Sequence, residues 1–112
     1  MLYAIVDIET TGSYASGNGI TEIAIAVHDG NQVINFYETL VNPHQPIPYF
    51  IQSLTGITND MVVKAPSFKE VAGQIHELLQ DKVFVAHNVN FDYSFVKHHL
   101  QDAGYTLEEK KL

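Results

Sequence analysis

Hydrophobic and polar positions alternate in the first part of the chain, in the manner of a sheet. Short β-branched or alternating apolar runs predict strands over 2–8, 20–27 and 33–41. Asp29-Gly30 falls between the second and third runs, and this dipeptide is a strong signal for a tight hairpin. The opening segment is therefore predicted to be an antiparallel meander of three strands.

The apolar spacing becomes helical after residue 66. A capping-box pattern at 67–70 opens a predicted helix to residue 79, and a second helix is predicted over 90–103, closed by Gly104. A short strand over 82–86 lies between them, and a short helix is expected over 50–54. The order predicts an α/β fold, a mixed sheet built from an antiparallel meander followed by α/β crossover units.

The second predicted strand carries two different faces. Its larger apolar side chains point one way, and the other face holds a glutamate and two alanines. Because small side chains allow a close approach, we expect a helix to lie above the alanine face. The two sets are Ile23, Ile25 and Val27 on one face, and Glu22, Ala24 and Ala26 on the other.

Two carboxylates interrupt the apolar first strand. Asp7 and Glu9 are separated by Ile8, so their side chains share one face of the strand, about 7 Å apart along the chain. Like charges at that distance destabilise each other unless a cation lies between them. The chain contains no Arg and its first Lys is Lys64. A bound divalent metal ion is the predicted partner, and with it phosphate chemistry.

Composition narrows the possible functions. The chain has 112 residues, which suffice for one domain or part of one, and its net charge is −7. Residues 1–63 contain neither Lys nor Arg, which excludes a basic nucleic-acid patch there. The lack of cysteine excludes disulfides and thiolate metal sites. With no membrane-spanning run and no secretion signal, we expect a cytoplasmic protein without a membrane partner.

A third carboxylate follows the last predicted strand. Asp92 lies in the first turn of the helix after that strand, and ligands of such sheets gather at strand ends. Asp92 is therefore expected to join Asp7 and Glu9 around one position. Oxygen-only ligation suits Mg²⁺ or Mn²⁺ rather than zinc. For Asp92 alone, a favourable charge at a helix N-terminus is the alternative explanation.

These residues lie in three motifs whose order resembles a known enzyme family. Asp7-Ile8-Glu9-Thr10-Thr11-Gly12, Leu54-Thr55-Gly56-Ile57-Thr58 and His87-Asn88-Val89-Asn90-Phe91-Asp92 resemble the first motif, the intervening loop and the second motif of DEDD-type (DEDDh) 3′–5′ exonucleases. The likeness is greatest to the proofreading, epsilon-like subunit of bacterial DNA polymerase III. It implies a ribonuclease H-like fold and two-metal hydrolysis of phosphodiester bonds from a 3′ end.

The resemblance also implies roles for single residues. Asp7 would bridge two divalent ions, Glu9 would hold the ion that activates water, and Asp92 would be a further ligand. Other residues of the motifs would contact the terminal nucleotide. Core packing remains an alternative for Ile57 and for Phe91. The expected substrate contacts are the backbone of Thr10, Thr11 and Gly12, and the side chains of Ile57, Asn88 and Phe91.

One part of the family pattern is missing from this sequence. These exonucleases need a third motif, with a His general base and a fourth metal-binding Asp, beyond the second motif. Asp102 lies ten residues after Asp92 on the same predicted helix, about 15 Å away, and His98 and His99 do not reach the carboxylates either. We therefore expect residues 1–112 to be the N-terminal, C-terminally incomplete portion of a single exonuclease domain, inactive on its own.

The expected partners follow from the same resemblance. The first is a single-stranded or frayed nucleic-acid 3′ end; a DNA polymerase subunit or a further domain of a longer chain are others. A different class of function also stays open. The chain would then be a non-catalytic nucleic-acid-binding or assembly module that associates through its incomplete sheet, with 105–112 as the expected contact. A ribonuclease H-like nuclease with another metal arrangement is the third alternative.

Overall fold

The computed structural model describes residues 1–108, which form four strands and four helices. No helix within that part of the chain is long and apolar enough to cross a membrane. The elements are β1 Tyr3–Thr10, β2 Ile20–His28, β3 Val33–Leu40, α1 Tyr49–Thr55, α2 Asn59–Val62, α3 Phe68–Leu79, β4 Val83–Val85 and α4 Val89–Asp102. The predicted mixed α/β fold is confirmed, with most boundaries within two residues; α2 was not predicted.

The strands form one mixed sheet in the order β3-β2-β1-β4. β1, β2 and β3 are antiparallel neighbours, while β4 runs parallel to β1 and pairs only with its first part, ending with Val85 opposite Ile5. The Asp29 side chain closes the predicted β2–β3 hairpin by accepting hydrogen bonds from the backbone N–H groups of Asn31 at 2.8 Å and Gln32 at 2.9 Å. The short β4 leaves the end of β1 without a strand neighbour on that side.

The helices α3 and α4 cover the face of the sheet that carries its branched side chains. Ala4, Val6 and Ile8 of β1 share a buried core with the apolar face of β2 and with both helices. The expectation that a helix lies above the alanine face of β2 is therefore wrong. Larger apolar side chains release more free energy when a helix buries them, so the helices take the Ile–Val face. The helices α3 and α4 do not cover the opposite face of the sheet, which carries Asp7, Glu9 and Glu22.

Both long helices have the ends that the sequence predicts. The Ser67 hydroxyl accepts the N–H of Glu70 at 3.2 Å, and the Glu70 carboxylate accepts the N–H of Ser67 at 3.1 Å. This reciprocal capping box fixes the first turn of α3. After α4, Gly104 adopts a φ of 93°, a conformation that glycine adopts without strain.

The chain after α4 packs back onto the helices. Leu107 is buried, and the Tyr93 hydroxyl donates to its carbonyl at 3.4 Å. A ring nitrogen of His76 lies 3.0 Å from the Thr106 carbonyl oxygen. Residues 105–108 thus form a packed segment rather than a strand. The rest of the predicted tail or strand, 109–112, lies outside the described residues.

Residues 43–66, here called the α1–α2 lobe, form a small unit between β3 and α3. The lobe has its own core of Ile47, Ile57 and Val62. The N–H of Asn42 donates to the Pro66 carbonyl at 2.8 Å, which holds the two ends of the lobe together. α1 itself contains no buried residue.

Candidate functional site

Asp7 and Glu9 project together from the face of the sheet opposite to the helices, as their spacing predicts. Asp7 is exposed and stands opposite Ala24, and Glu9 is half-buried and stands opposite Glu22. The small alanine leaves room above Asp7, and the glutamate adds a third negative charge beside Glu9. The strand register therefore concentrates acidic groups at the C-terminal end of β1.

Asp92 reaches β1 from the first turn of α4. Because β4 ends opposite Ile5, the edge of β1 is free at Ile8, and the Asp92 carboxylate accepts a hydrogen bond from the Ile8 N–H there. Asp92 is only 7% exposed. The arrangement holds the third carboxylate beside the backbone that lies between Asp7 and Glu9.

The three carboxylates influence one another electrostatically. Burial and then the charge of Asp7 raise the pKa of Asp92 to about 6, although hydrogen bonds from backbone N–H groups and the charge of His87 lower it. Burial, followed by the charges of Asp7, Glu22 and Asp92, raises the pKa of Glu9. Raised carboxyl pKa values mean that the site disfavours its own negative charge.

A divalent cation would relieve this repulsion, and the oxygen-only donors suit Mg²⁺ or Mn²⁺. Within residues 1–108, however, no three His, Asp or Glu side chains lie close enough together to hold a metal ion as they stand. The expectation that three carboxylates surround one position is therefore not met in this arrangement. Two physical reasons keep the carboxylates apart. The side chains of Asp7 and Glu9 project from the face of the sheet, whereas the Asp92 carboxylate is hydrogen-bonded at the edge of β1. In addition, the negative charges of the three groups repel one another.

A groove of about 450 Å³ opens beside Glu9. One wall is the end of β1 and the loop after it, from Thr10 to Tyr14, and the other is α1 with Phe50 and Leu54. Tyr14 is 79%, Phe50 71% and Leu54 82% exposed. An acidic end between exposed apolar walls suits a ligand that combines phosphate, through a metal ion, with a flat apolar group.

The predicted substrate residues take different places. Thr10, Thr11, Gly12 and Phe91 line the groove, and Phe91 also packs on Phe95 with ring centroids 5.0 Å apart, so its substrate contact stays a prediction beside its packing role. Ile57 is 4% exposed and lies in the core of the α1–α2 lobe, which favours the core alternative. Asn88 is exposed, and its carbonyl accepts the N–H groups of Phe91 and Asp92 at 3.0 and 3.1 Å.

Sequence reasoning missed the apolar side chains of the groove, Tyr14, Phe50 and Leu54. Tyr14 stands in a glycine-punctuated loop, and the other two belong to a short helix with no buried residue. Large apolar side chains in segments too short to form a core would have been a usable signal. Their meeting across a groove depends on contacts between distant parts of the chain.

The histidines of α4 lie away from the carboxylates, as expected. The His99 ring lies against Phe68 and Phe95, at centroid distances of 5.5 and 6.0 Å, and burial lowers its pKa. The His98 Nε2 lies 3.4 Å from the Asp102 Oδ2. These contacts agree with half-buried and surface roles in the helix.

Comparison with known proteins identifies a family. A model of the exonuclease family RNase_T matches residues 4–111. The protein named 3′-5′ exonuclease DinG of Staphylococcus aureus (strain USA300) is 40% identical over 110 residues, 98% of this chain. The chain spans 12% of the length of that relative, and the same protein of strain NCTC 8325 / PS 47 gives the same values.

Solved structures share the fold. Exonuclease I superposes with a TM-score of 0.84 over 94% of this chain and 25% of its own, at 19% identity. A zinc-bound E. coli ExoI–ssDNA complex gives 0.85 at the same identity, over 94% of this chain and 24% of that one. Exonuclease X in complex with 5′ overhanging duplex DNA gives 0.77 at 25% identity, over 98% of this chain and 58% of that one. The expected ribonuclease H-like fold is thereby confirmed.

Proposed function

The chain belongs to the exonuclease family, and on that premise we propose that it supplies the metal-binding carboxylates and the 3′-end groove of a 3′–5′ exonuclease. The reaction would be hydrolysis of the phosphodiester bond at a nucleic-acid 3′ end. The observation that carries the proposal is the acidic end of β1, where the neighbouring charge of Asp7 helps to raise the pKa values of Glu9 and Asp92 and where Glu9 borders an apolar-walled groove.

The carboxylates are proposed to hold two Mg²⁺ or Mn²⁺ ions. Asp7 would contact both ions, Glu9 the ion next to the attacking water, and Asp92 would complete the set from α4. Divalent ions bound there would lower the pKa of water and stabilise negative charge on the phosphate. A zinc-bound complex among the solved structures that share the fold supports a divalent metal ion in this proposal. Binding would require the carboxylates to move closer than they stand without a cation.

The proposed substrate is a single-stranded or frayed 3′ end. Exposed Phe50 and Tyr14 offer aromatic faces on which an unpaired base stacks favourably, and exposed Leu54 adds apolar surface to the same groove. The absence of Lys and Arg from residues 1–63 argues against strong non-specific contact with duplex phosphates. The names of the structural neighbours support nucleic acid as the ligand, since one holds single-stranded DNA and another overhanging duplex DNA.

Residues 1–112 alone are proposed to bind a 3′ end without cleaving it. The family's third motif supplies a His base and a further Asp, and neither has a counterpart after Asp92 in this sequence. Binding needs the groove and the first carboxylates, whereas turnover also needs proton transfer from water. The two properties are therefore separable by experiment.

The test uses a 5′-fluorescein, single-stranded oligonucleotide whose anisotropy reports binding with Mn²⁺ or with EDTA. We expect binding that requires Mn²⁺ and is lost in Asp7→Asn. Glu38→Gln is the matched control, because it removes one negative charge from β3, which is separated from β1 by β2. A wild-type chain that does not bind would refute the proposal. Release of a 3′ label that depends on Asp7 would refute only the inactivity of the isolated chain.

Self-association is a second proposal, favoured by the edge of the sheet. β3 is an outer strand, and its Val33, Ile34 and Phe36 are 54%, 51% and 61% exposed. An edge of that kind favours pairing with another strand. The contact is proposed at β3 rather than at 105–112. Light scattering tests it: a concentration-dependent dimer that Phe36→Lys abolishes supports it, and a strict monomer refutes it.

A further inference from the structure

The two walls of the groove come from separate parts of the chain. The loop wall follows β1 directly, whereas the α1 wall belongs to the α1–α2 lobe, whose buried residues pack mainly on one another. The exposed side chains of α1 contribute nothing to a core. The width of the groove therefore depends on the polar contacts that tie the lobe to the loop.

The Thr11 hydroxyl is the meeting point of those contacts. Thr11 is 2% exposed. Its Oγ1 lies 3.0 Å from the Asn18 Oδ1 and 3.2 Å from the Gln45 Oε1, and it accepts the Gly19 N–H at 3.0 Å. The Gly19 carbonyl in turn accepts the Thr11 N–H at 2.9 Å. One buried hydroxyl thus joins both ends of the loop to the first turn of chain in the α1–α2 lobe.

Counting protons assigns a direction to each bond. A hydroxyl has one proton, so Thr11 cannot donate to two amide oxygens. The Asn18 orientation is fixed, since its Nδ2 donates to the Tyr14 carbonyl at 2.8 Å and so turns its Oδ1 toward Thr11. The Gln45 amide must therefore present its Nε2, and not its Oε1, to the Thr11 hydroxyl.

Gly12 leaves the space that the Asn18 amide fills. A Cβ at Gly12 would lie 2.7 Å from the Asn18 Cγ, which is closer than two non-bonded carbon atoms approach each other in a folded protein. Asn18 therefore spans the inside of the loop, bonded to Thr11 on one side and to the Tyr14 carbonyl on the other. The amide sets the position of Tyr14, one of the apolar groups of the groove.

From these contacts we infer that Asn18 and Gln45 are positioning residues, which hold the loop wall and the α1 wall at the separation that a terminal nucleotide requires. Gln45 links the walls through Thr11, and Asn18 shapes the loop that carries Tyr14. The inference rests on the proposed function. These hydrogen bonds position the walls of the groove and do not involve the carboxylates. Loss of the hydrogen bonds should therefore weaken nucleotide binding without weakening metal binding.

The experiment compares Gln45→Met, which keeps the length of the side chain but removes its hydrogen bonds, with Gln101→Met, an exposed control on α4. A single-stranded oligonucleotide with 3′-terminal 2-aminopurine reports binding in Mn²⁺. We expect the dissociation constant of Gln45→Met to rise about 3- to 10-fold, the effect of one lost hydrogen bond. Mn²⁺ affinity and Tm should match those of the control. Unchanged oligonucleotide binding, or a parallel loss of Mn²⁺ affinity, overturns the inference.

The hydroxyl itself provides a conservative comparison. Thr11→Ser keeps the hydroxyl and should bind the oligonucleotide more tightly than Thr11→Val, which removes the hydroxyl and should resemble Gln45→Met. A purely structural role would make both Thr11 variants less stable without that ordering of affinities.

Hydrogen exchange tests the network without any ligand. Amides of Tyr49–Thr55 should exchange faster in Gln45→Met than in wild type, while those of Phe68–Leu79 stay unchanged. Unaltered exchange in α1 overturns the inference even if the wild-type chain binds no oligonucleotide. Failure to bind, with faster exchange in the variant, refutes the proposed function alone.

Discussion

The Asp92 carboxylate accepts a hydrogen bond from the backbone N–H of Ile8, which places the acid of α4 beside the strand that carries Asp7 and Glu9. The bond partly offsets the burial of a charge. A metal ion held by all three carboxylates would require movement away from this arrangement, because no three acids of residues 1–108 stand close enough together to hold one ion.

The raised pKa of Asp92, about 6, predicts an unusual pH dependence of stability. The folded state holds the proton up to about pH 6 and the unfolded state only to about pH 4. Stability contributed by this group therefore falls as pH rises through that window and stays reduced above it. Without metal, Asp92→Asn should be more stable than wild type at pH 7, by about 1 kcal/mol.

Urea unfolding at pH 4, 5, 6 and 7 in EDTA measures this difference. The advantage of Asp92→Asn should shrink toward pH 4, where the wild-type carboxyl is protonated in the folded state and about half protonated in the unfolded state. Asp102→Asn, an exposed acid on the same helix, serves as the control. A wild-type chain more stable than the variant at pH 7 would contradict the assignment.

For His99 we expect the opposite dependence of folding stability on pH. Burial lowers its pKa in the folded state, so the unfolded state takes up a proton more readily. Stability from this group is complete above about pH 6.5, the ordinary histidine value, and is lost as pH falls below it. His99→Leu should flatten the stability curve between pH 6.5 and 5, measured by thermal unfolding. His44→Asn, at an exposed site with a φ of 54° that Asn tolerates, is the control for removing an exposed histidine.

The contact between Gly12 and Asn18 predicts a rescue by a second substitution. Gly12→Ala places a methyl group against the Asn18 amide and should destabilise the fold by about 1–3 kcal/mol. Gly12→Ala combined with Asn18→Ala removes the overlap and should be more stable than the sum of the single changes indicates. Denaturant midpoints of the four proteins form the cycle. Strict additivity would show that the two residues do not meet.

Substitutions of Ile57 and Phe50 should have different effects, the first on folding stability and the second on 3′-end binding. Ile57 is buried in the core of the lobe, whereas Phe50 is exposed on α1. Ile57→Ala should cost about 2–4 kcal/mol of stability. Phe50→Ala should change stability by less than about 0.5 kcal/mol and weaken 3′-end binding by about 1–3 kcal/mol. Unfolding curves and oligonucleotide titrations measure both; equal effects on both quantities would argue against separate roles.

The sequence by itself determined the elements and part of the site. The spacing of hydrophobic residues predicted the strands and the long helices. Ser67 and Glu70 marked the start of α3, and Asp29-Gly30 marked the hairpin. These predictions succeed because the signals act between residues a few positions apart in sequence. The shared face of Asp7 and Glu9 follows from the two-residue repeat of any strand. The motif order likewise identified the family to which the chain belongs.

Only the tertiary structure decided how distant segments meet. It placed the helices on the Ile–Val face of β2, buried Ile57 in a small separate core, and set Gln45 beside Thr11 across 34 positions of sequence. It also brought Asp92 to the Ile8 N–H, because β4 stops short and leaves that edge of β1 free. Such contacts depend on the packing of whole elements, where small differences in buried area and polar pairing choose between arrangements that local patterns leave equally open.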